Sequence, residues 1–345
     1  MSKVYEIFTS DDVISGQQET ITATAWSDNS TTLTTFFTSS TQSGSSGDYY
    51  LDIYDKDPNT DSTAVSQFSI AYGHIEGSGS KKTTGGRDGD SPSNAIFSQY
   101  AQLLLENGTT TWKTFDGSNN ERTVDQIYVI NFNRARAKEA LDPGNWQLTL
   151  SGSTDGVMGP ITLIDDSGDN AGTTGIAGKN YNIISGSLGS TGNYNTILKF
   201  GKFYPEQGMM VLDAGLIASH SLSTRATVGN QTGSNFMDFP NENAKFYNHI
   251  KGGASFKARN AQTITSTYYF CRIKNKDFNF SNNPTFVTGS DGSLKHSGMK
   301  KNPQVYITTI GMYNNANELL AVAKLSKPLL KNFSREALVK VKLEY

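Results

Sequence analysis

Residues 304–325 read QVYITTIGMYNNANELLAVAKL and contain two apolar runs separated by an asparagine-rich turn. The run at 304–313 is rich in β-branched and aromatic residues, which are enriched in strands, and the run at 318–325 is mostly apolar. Asparagine tolerates the left-handed backbone of tight turns, so residues 314–317 predict a four-residue connection. The stretch therefore predicts an antiparallel hairpin.

Apolar runs of strand length recur along the chain. The run QIYVINF at 126–132 is almost continuously apolar and predicts a buried strand, whereas the alternation at 146–150 predicts a half-buried one. Further strands are predicted at residues 49–54, 67–72, 161–164, 183–184, 209–212, 263–274 and 337–343.

One helix is predicted after Ser91-Pro92, which supply an N-cap and a proline for the first turn. Apolar residues at 96, 100, 103 and 104 form one narrow stripe, and Asn107-Gly108 can end the helix in left-handed geometry. A narrow stripe favours packing against a sheet. A helical turn at 134–141 and a short amphipathic helix at 241–250 are also predicted.

The composition of the 345 residues is that of a loop-rich β protein. Aromatic residues make up 11% and charged residues 18%, with 33 glycines, and this frequency of aromatics argues against disorder. Gly, Ser, Asp, Asn and Thr dominate from 151 to about 194, and the short apolar runs within this stretch predict an inserted β subdomain or a set of long hairpin loops. We expect a mainly β fold with minor α (α+β), with antiparallel, sandwich-like sheets. The expected domains are an N-terminal α+β domain at 1–150, a loop-rich β insertion at 151–200 and a C-terminal antiparallel β domain at 201–345.

Charge and cysteine content exclude several classes of function. The formal net charge of -2 gives no global field for nucleic acid or an anionic membrane. One cysteine, Cys271, excludes an intrachain disulfide and a cysteine-based metal cluster. The sequence shows neither an apolar run of spanning length nor an apolar leader near Met1, so we expect folding in the cytoplasm without a membrane partner.

Motifs for phosphate and metal ions are incomplete. Residues 172–180 resemble a phosphate loop, but position 173 is Thr where Gly is required, and Asn180 follows the lysine. The acidic and amide residues at 55, 57, 59 and 61 have the spacing of a calcium loop, but Ser66 stands where a bidentate Glu belongs. A hairpin turn is the favoured interpretation there, and a solvated loop tip at residues 165–169 is favoured over a cation nest.

Catalytic residues are not indicated by any spacing. The four histidines lack the i, i+4 arrangement that places two ligands on one helix face. His74 lies near Glu76, but a hydrogen-bonded histidine at a strand end is favoured over an acid–base pair. Cys271 lies in an apolar run and is expected in the core. We therefore expect no catalytic residues, no cofactor and no metal.

Several stretches resemble structural proteins of T4-like tailed phages, notably of the cyanophage type. They are SIAYGHIEGSGS at 69–80, AIFSQY at 95–100, LDPGNW at 141–146, NFSNNPTF at 279–286 and the hairpin at 306–324. The hairpin is the most specific, because it is similar to a strand pair of contractile-tail baseplate proteins. The resemblance implies a virion protein of a contractile tail, and the baseplate wedge is its expected position in the particle. It implies a structural role, and no enzymatic residues are carried over from this family.

A virion subunit must bury large surfaces against copies of itself and other tail or baseplate proteins. Such interfaces use aromatic residues at their centres. Six aromatic residues outside clear strand cores are the candidate interface anchors, with ordinary packing under loops as the alternative: Tyr49, Tyr50, Phe236, Phe239, Phe246 and Tyr247. We expect assembly in the host cytoplasm and an oligomeric state in the particle.

The sequence is also compatible with other functions. The neck and the capsid surface, where the chain would be a decoration protein, are alternative positions in the particle. A receptor- or glycan-binding protein that attaches tail fibres would use Trp26, Trp112 and exposed tyrosines to stack on sugars. A hydrolase would use His74, Glu76 and a loop aspartate, but no carboxylate pair or triad supports it.

Overall fold

A computed structural model of the chain describes residues 5–39, 50–76, 93–115, 118, 120–151, 160–189, 198–220, 242–280, 284–288 and 291–344. The chain divides into two compact units. The smaller unit comprises residues 1–20 and 263–345, and the larger unit comprises residues 21–262.

Strands dominate the described residues, as the sequence predicts. They are β1 (Val13–Thr24), β2 (Thr32–Leu33), β3 (Leu51–Tyr54), β4 (Ser66–His74), β5 (Lys113–Phe115), β6 (Glu121–Thr123), β7 (Gln126–Phe132), β8 (Ala140–Leu141), β9 (Gln147–Leu150), β10 (Ile161–Asp165), β11 (Thr173–Gly175), β12 (Gly178–Ser185), β13 (Gly201–Tyr204), β14 (Met209–Asp213), β15 (Ser255–Lys257), β16 (Arg259–Ile273), β17 (Val287–Thr288), β18 (Ser293–Leu294), β19 (Val305–Tyr313), β20 (Leu319–Lys331) and β21 (Ala337–Glu344). The helices are α1 (Ser93–Leu104), α2 (Arg134–Ala137), α3 (Ala214–His220), α4 (Glu242–Gly253) and α5 (Gly298–Lys301), with short 3-10 turns at Ser10–Asp12 and Pro284–Phe286. The predicted mainly β, antiparallel fold class with minor helix is confirmed.

The larger unit is built on one curled antiparallel sheet. Its strand order is β2-β15-β9-β10-β12-β13-β14-β7-β4-β3, and β11 pairs with β12 as a hairpin. The chain just after β2 reaches the free edge of β3, where the Phe37 amide donates to the Tyr54 carbonyl (3.0 Å) and the Tyr54 amide donates back (2.8 Å). The two ends of the strand order therefore meet.

An aromatic cluster fills the interior where these ends meet. Phe256 on β15 lies 5.2 Å from Trp26, 5.4 Å from Phe68 on β4 and 5.5 Å from Phe132 on β7, measured between ring centroids. All four side chains are buried. Strands from both ends of the sheet thus share one set of apolar contacts, which favours the curled form over an open sheet.

Helices cover both faces of the central strands. On β7, Tyr128, Ile130 and Phe132 belong to the enclosed core, together with side chains of α3 and α4. Ile127 and Val129 point to the opposite face, where α1 packs. Helix α1 lies against the sheet as expected, although Leu103 of the predicted stripe is exposed.

The smaller unit is a sandwich of two small sheets. One contains β16 and β21 in the order β1-β16-β21, and the other is the hairpin β19–β20. Side chains from the inner faces of both sheets form a single core. Its members are Cys271, Met312 and Val341, with the partly buried Phe8, Tyr269, Ile310, Ala321, Ala323, Val339 and Leu343.

The boundaries of the two units differ from the three segments expected from the sequence. Strands β10 and β12, which lie in the segment expected to be an insertion, pair with β9 and β13 in the middle of the large sheet. The larger unit also continues past residue 201 to residue 262. The glycine- and serine-rich stretches at 151–200 therefore separate strands of one sheet, and do not mark a separate subdomain. Among the described helices, none has the length and apolar character that spanning a bilayer requires.

Replacing Phe256 with alanine tests the aromatic cluster. Phe256 is fully buried and contacts three other rings, so its loss should leave a cavity and lower the free energy of unfolding by about 3–5 kcal/mol. The exposed Val65 is the control, because Val65→Ala should change that free energy by less than about 0.5 kcal/mol. Chemical denaturation measures both, and a Phe256→Ala loss as small as that of the control would contradict the packing described.

Candidate interaction surface

The hairpin β19–β20 has one buried and one exposed face. Along its tip, Ile310 pairs with Ala323 and Met312 pairs with Ala321, and these four side chains face the sandwich core. The turn is closed as the sequence predicts, because the Asn314 amide donates to the Glu318 carbonyl (3.0 Å) and Asn317 adopts a positive φ of 61°. The intervening residues must point away from the core.

Those intervening residues are apolar and exposed. We call Tyr313, Leu319, Leu320 and Val322 the outer hairpin face; their exposed fractions are 46%, 53%, 68% and 57%. Gly311 pairs with Val322 on this face, and a Cβ there would approach the Tyr313 ring to 3.0 Å. The missing side chain lets the Tyr313 ring lie over the strand, which keeps the apolar face continuous.

The opposite sheet of the sandwich has a different outer face. Lys340 places its Nζ 3.8 Å from the centroid of the Tyr268 ring, and Lys342 pairs with Glu19 and Glu344. Cation–π contacts and ion pairs suit a face in contact with water. The outer hairpin face is not of this kind, and an exposed apolar patch marks a site of interaction.

Of the six predicted interface anchors, the three that the structure describes do not belong to this surface. Tyr49, Phe236 and Phe239 lie outside the described residues. Tyr50 is exposed at the start of β3. Phe246 is fully buried and stacks on Tyr128 at 4.4 Å, so the packing interpretation holds for it and the interface interpretation does not. Tyr247 is half-buried and donates from its hydroxyl to the Phe36 carbonyl (2.8 Å).

The residues considered for stacking on sugars are also internal. Trp26 belongs to the aromatic cluster, and Trp112 donates from Nε1 to the Tyr204 hydroxyl (3.2 Å) on the α1 side of the sheet. Both indoles are buried. Neither indole can present its ring to a glycan, so the expectation that these two tryptophans stack on sugars is wrong.

His74 and His249 occupy structural positions. His74 is buried at the end of β4 and accepts at Nδ1 from the Glu76 amide (3.1 Å), which is the strand-end arrangement favoured from the sequence. His249 lies with Nδ1 3.1 Å from Ser151 Oγ and 3.2 Å from the Ser151 carbonyl. Because a carbonyl only accepts, that second contact requires a proton on Nδ1, and the nitrogen is then no base for the hydroxyl. Burial also lowers the pKa of His249.

The loop carboxylates are hydrogen-bonded within the fold. Asp57 and Asp61 accept from the amides of Asn59 and Thr63, which is the turn predicted at residues 55–61. Asp165 and Asp166 are buried, so the predicted solvated position is wrong for them, whereas Asp169 is exposed. Asp165 accepts from the Gly144 and Ser167 amides and Asp166 from Asn182, and burial raises the pKa of Asp165. In the described part of the chain, no group of three or more metal-ligating side chains is placed to hold an ion.

A buried carboxylate that sequence reasoning missed is Asp213, at the junction of β14 and α3. Its Oδ2 accepts from Thr114 Oγ1 (3.0 Å) and Arg122 Nε (3.1 Å), and its Oδ1 accepts from the Leu216 amide (2.9 Å). The carboxylate thereby caps α3, and the Arg122 guanidinium compensates its negative charge. The sequence signal for this was an aspartate directly before an apolar helix.

Alkylation of Cys271 tests the sandwich core behind the outer hairpin face. The thiol is 9% exposed, and burial, together with the nearby Asp12, raises its pKa. Because the thiolate is the reactive form, iodoacetamide should react at least about tenfold more slowly with the native chain than with the chain in urea at the same pH. Equal rates in the two conditions would show that this core is open.

Comparison of the chain with protein-family models, with curated proteins and with solved structures found no match in any of the three.

Proposed function

We propose that this chain is a structural subunit of a contractile phage tail, with the baseplate wedge as its station, and that it acts through protein–protein assembly. The outer hairpin face is the contact surface in this proposal. Its partner is a neighbouring virion subunit that presents an apolar patch with acidic residues at the rim. The chain would reach the virion by assembly in the host cytoplasm.

The observation that carries the proposal is the exposure of four apolar side chains on one face of a regular hairpin. Leu320 and Val322 are more than half exposed: Val322 pairs with Gly311, and Leu320 lies at the register shift next to the turn. Burying such a face against a partner gains about 25 cal/mol for each Å² of apolar surface removed from water. While this face stays in water, the chain does not gain that free energy.

Charge around this face supports the choice of an acidic partner. Lys324 lies on β20 beside Val322, and Lys327 follows on the same strand. The smaller unit as a whole contains 13 Lys and Arg residues against 9 Asp and Glu. Complementary charge steers association and fixes orientation, while the apolar contact supplies affinity.

The resemblance to tail proteins favours a virion subunit as the partner. The hairpin at 306–324 is the stretch with the most specific resemblance to baseplate proteins, and the same hairpin carries the outer hairpin face. The stretch that carries the resemblance therefore includes the residues of the outer hairpin face.

The experiment compares two substitutions of equal chemistry in the phage that encodes the chain. Leu320→Glu places a charge in the outer hairpin face, whereas Leu338→Glu places one at a similarly exposed leucine (64%) on β21. Each recombinant variant should unfold within about 0.5 kcal/mol of the unsubstituted chain, because both sites are exposed. Mass spectrometry of washed particles should find the Leu338→Glu chain at stoichiometric amounts and the Leu320→Glu chain strongly reduced.

Each outcome has a separate meaning. Absence of the unsubstituted chain from washed particles would refute its role as a virion subunit. Incorporation of both variants at equal levels would leave the chain in the particle and refute the outer hairpin face as its contact. Cryo-electron microscopy of the particle would then show which ring the chain occupies and whether the neck, the capsid or a fibre attachment is its station.

A further inference from the structure

The smaller unit contains a pocket of about 560 Å³ that is separate from the outer hairpin face. It is formed by the chain between β16 and β19 and by the turn that follows β20. Seven of its lining side chains are apolar, and four of these are the phenylalanines Phe278, Phe280, Phe286 and Phe333. The volume lies within the range of sites that bind small organic molecules, and the pocket is open to solvent on the side of Phe280 and Phe333, which are 46% and 53% exposed.

One wall of the pocket is held by a buried lysine. Lys331 has no exposed surface and donates from Nζ to the Asn279 side-chain oxygen (2.8 Å) and to the Asn275 carbonyl (3.2 Å). Asn279 in turn donates from its amide group to the Asn275 carbonyl (2.6 Å). These bonds fix the loop that carries Phe278, which adopts a left-handed φ of 56°. Such a conformation persists only where surrounding contacts impose it, so the wall is preformed.

The charges of the pocket are not balanced. Lys276, Lys300 and Asp277 all line it. Asp277 interacts electrostatically with the buried Lys331 and opposes the lowering of the Lys331 pKa by burial. The acidic group is thus already used by an internal cation. Among the described residues, neither Lys276 nor Lys300 has an ion-pair partner, and both ammonium groups are available to an anion.

We propose that this pocket binds a small amphiphilic anion, whose apolar aliphatic or aromatic body packs against the phenylalanines and whose single carboxylate or sulfonate is held by Lys276 and Lys300. The apolar body fills the aromatic lining, and the anionic end neutralises the two lysines. This inference does not depend on the proposed role in a phage tail.

Calorimetric titration with three probes of equal chain length tests the charge requirement. Dodecanoate, dodecan-1-ol and dodecyltrimethylammonium have the same apolar body and differ in the charge of the head group. Below the micellar concentrations of the two ionic probes and the solubility limit of the alcohol, dodecanoate should bind most tightly, the alcohol should bind more weakly, and the cation should bind least. Equal binding of the anion and the cation would refute the role of the lysines, and no binding of any probe would refute the site.

Variants locate the bound anion. The Lys276→Ala, Lys300→Ala double variant should weaken dodecanoate roughly tenfold and leave the alcohol unchanged, since only the charge-assisted contacts are lost. The Lys324→Ala, Lys327→Ala double variant removes the same net charge elsewhere and should leave dodecanoate binding unchanged. An equal loss in the two double variants would show a non-specific charge effect and overturn the assignment.

Methyl resonances give a reading that does not depend on affinity. Met299 lines the pocket, whereas Met312 lies in the sandwich core. Saturating dodecanoate should shift the Met299 methyl resonance and leave that of Met312 in place. A shift of Met312 alone, or of both to the same extent, would place the probe outside the pocket.

Discussion

Alternation of side chains across a strand gives every sheet two faces, and each apolar face requires a cover. In the larger unit both faces of the central strands are covered, since Tyr128 points into the enclosed core and Val129 points toward α1. In the smaller unit, only the inner faces of the two small sheets cover each other. Its β16–β21 sheet presents lysines, ion pairs and rings on the outside, whereas the β19–β20 hairpin presents leucine, valine and tyrosine. The difference between these two outer faces is the basis of the functional proposal.

Local patterns in the sequence predicted most elements of the fold. The hairpin at 304–325, the buried strand at 126–132 and the helices α1 and α4 appear close to their expected positions. Strand β1 was missed because its residues, VISGQQETITAT, are largely polar and exposed. The compact units differ from the three segments expected from the sequence, because glycine and serine content indicates loops, while β10 and β12 join their sheet through long-range pairing with β9 and β13. No local signal shows that Phe37 meets Tyr54 or that the sheet closes.

The candidate surface was less predictable than the fold. Aromatic residues outside strand cores were expected to mark the interface, yet Phe246 lies in the core because α4 turns it onto Tyr128. The exposed residues that matter, Leu320 and Val322, belong to a run that by sequence alone is an ordinary buried strand. Their exposure depends on which face the other sheet covers, and that is a tertiary property. The pocket beside Lys331 likewise depends on the conformation of a loop that has no recognisable motif.

The hairpin also limits how a partner can bind. An exposed strand edge invites indiscriminate pairing with other chains, and proteins counter this with bulges, prolines and lysines. Register shifts interrupt β19–β20 between Ile307 and Thr309 and between Met312 and Tyr313. Pro328 and Lys327 lie on β20 in the stretch opposite the first shift. The backbone edge is thus poorly suited to accept an added strand, while the side chains of the outer hairpin face remain available. Association through this hairpin should therefore occur face to face, and specificity should come from the shape of its leucine and tyrosine side chains.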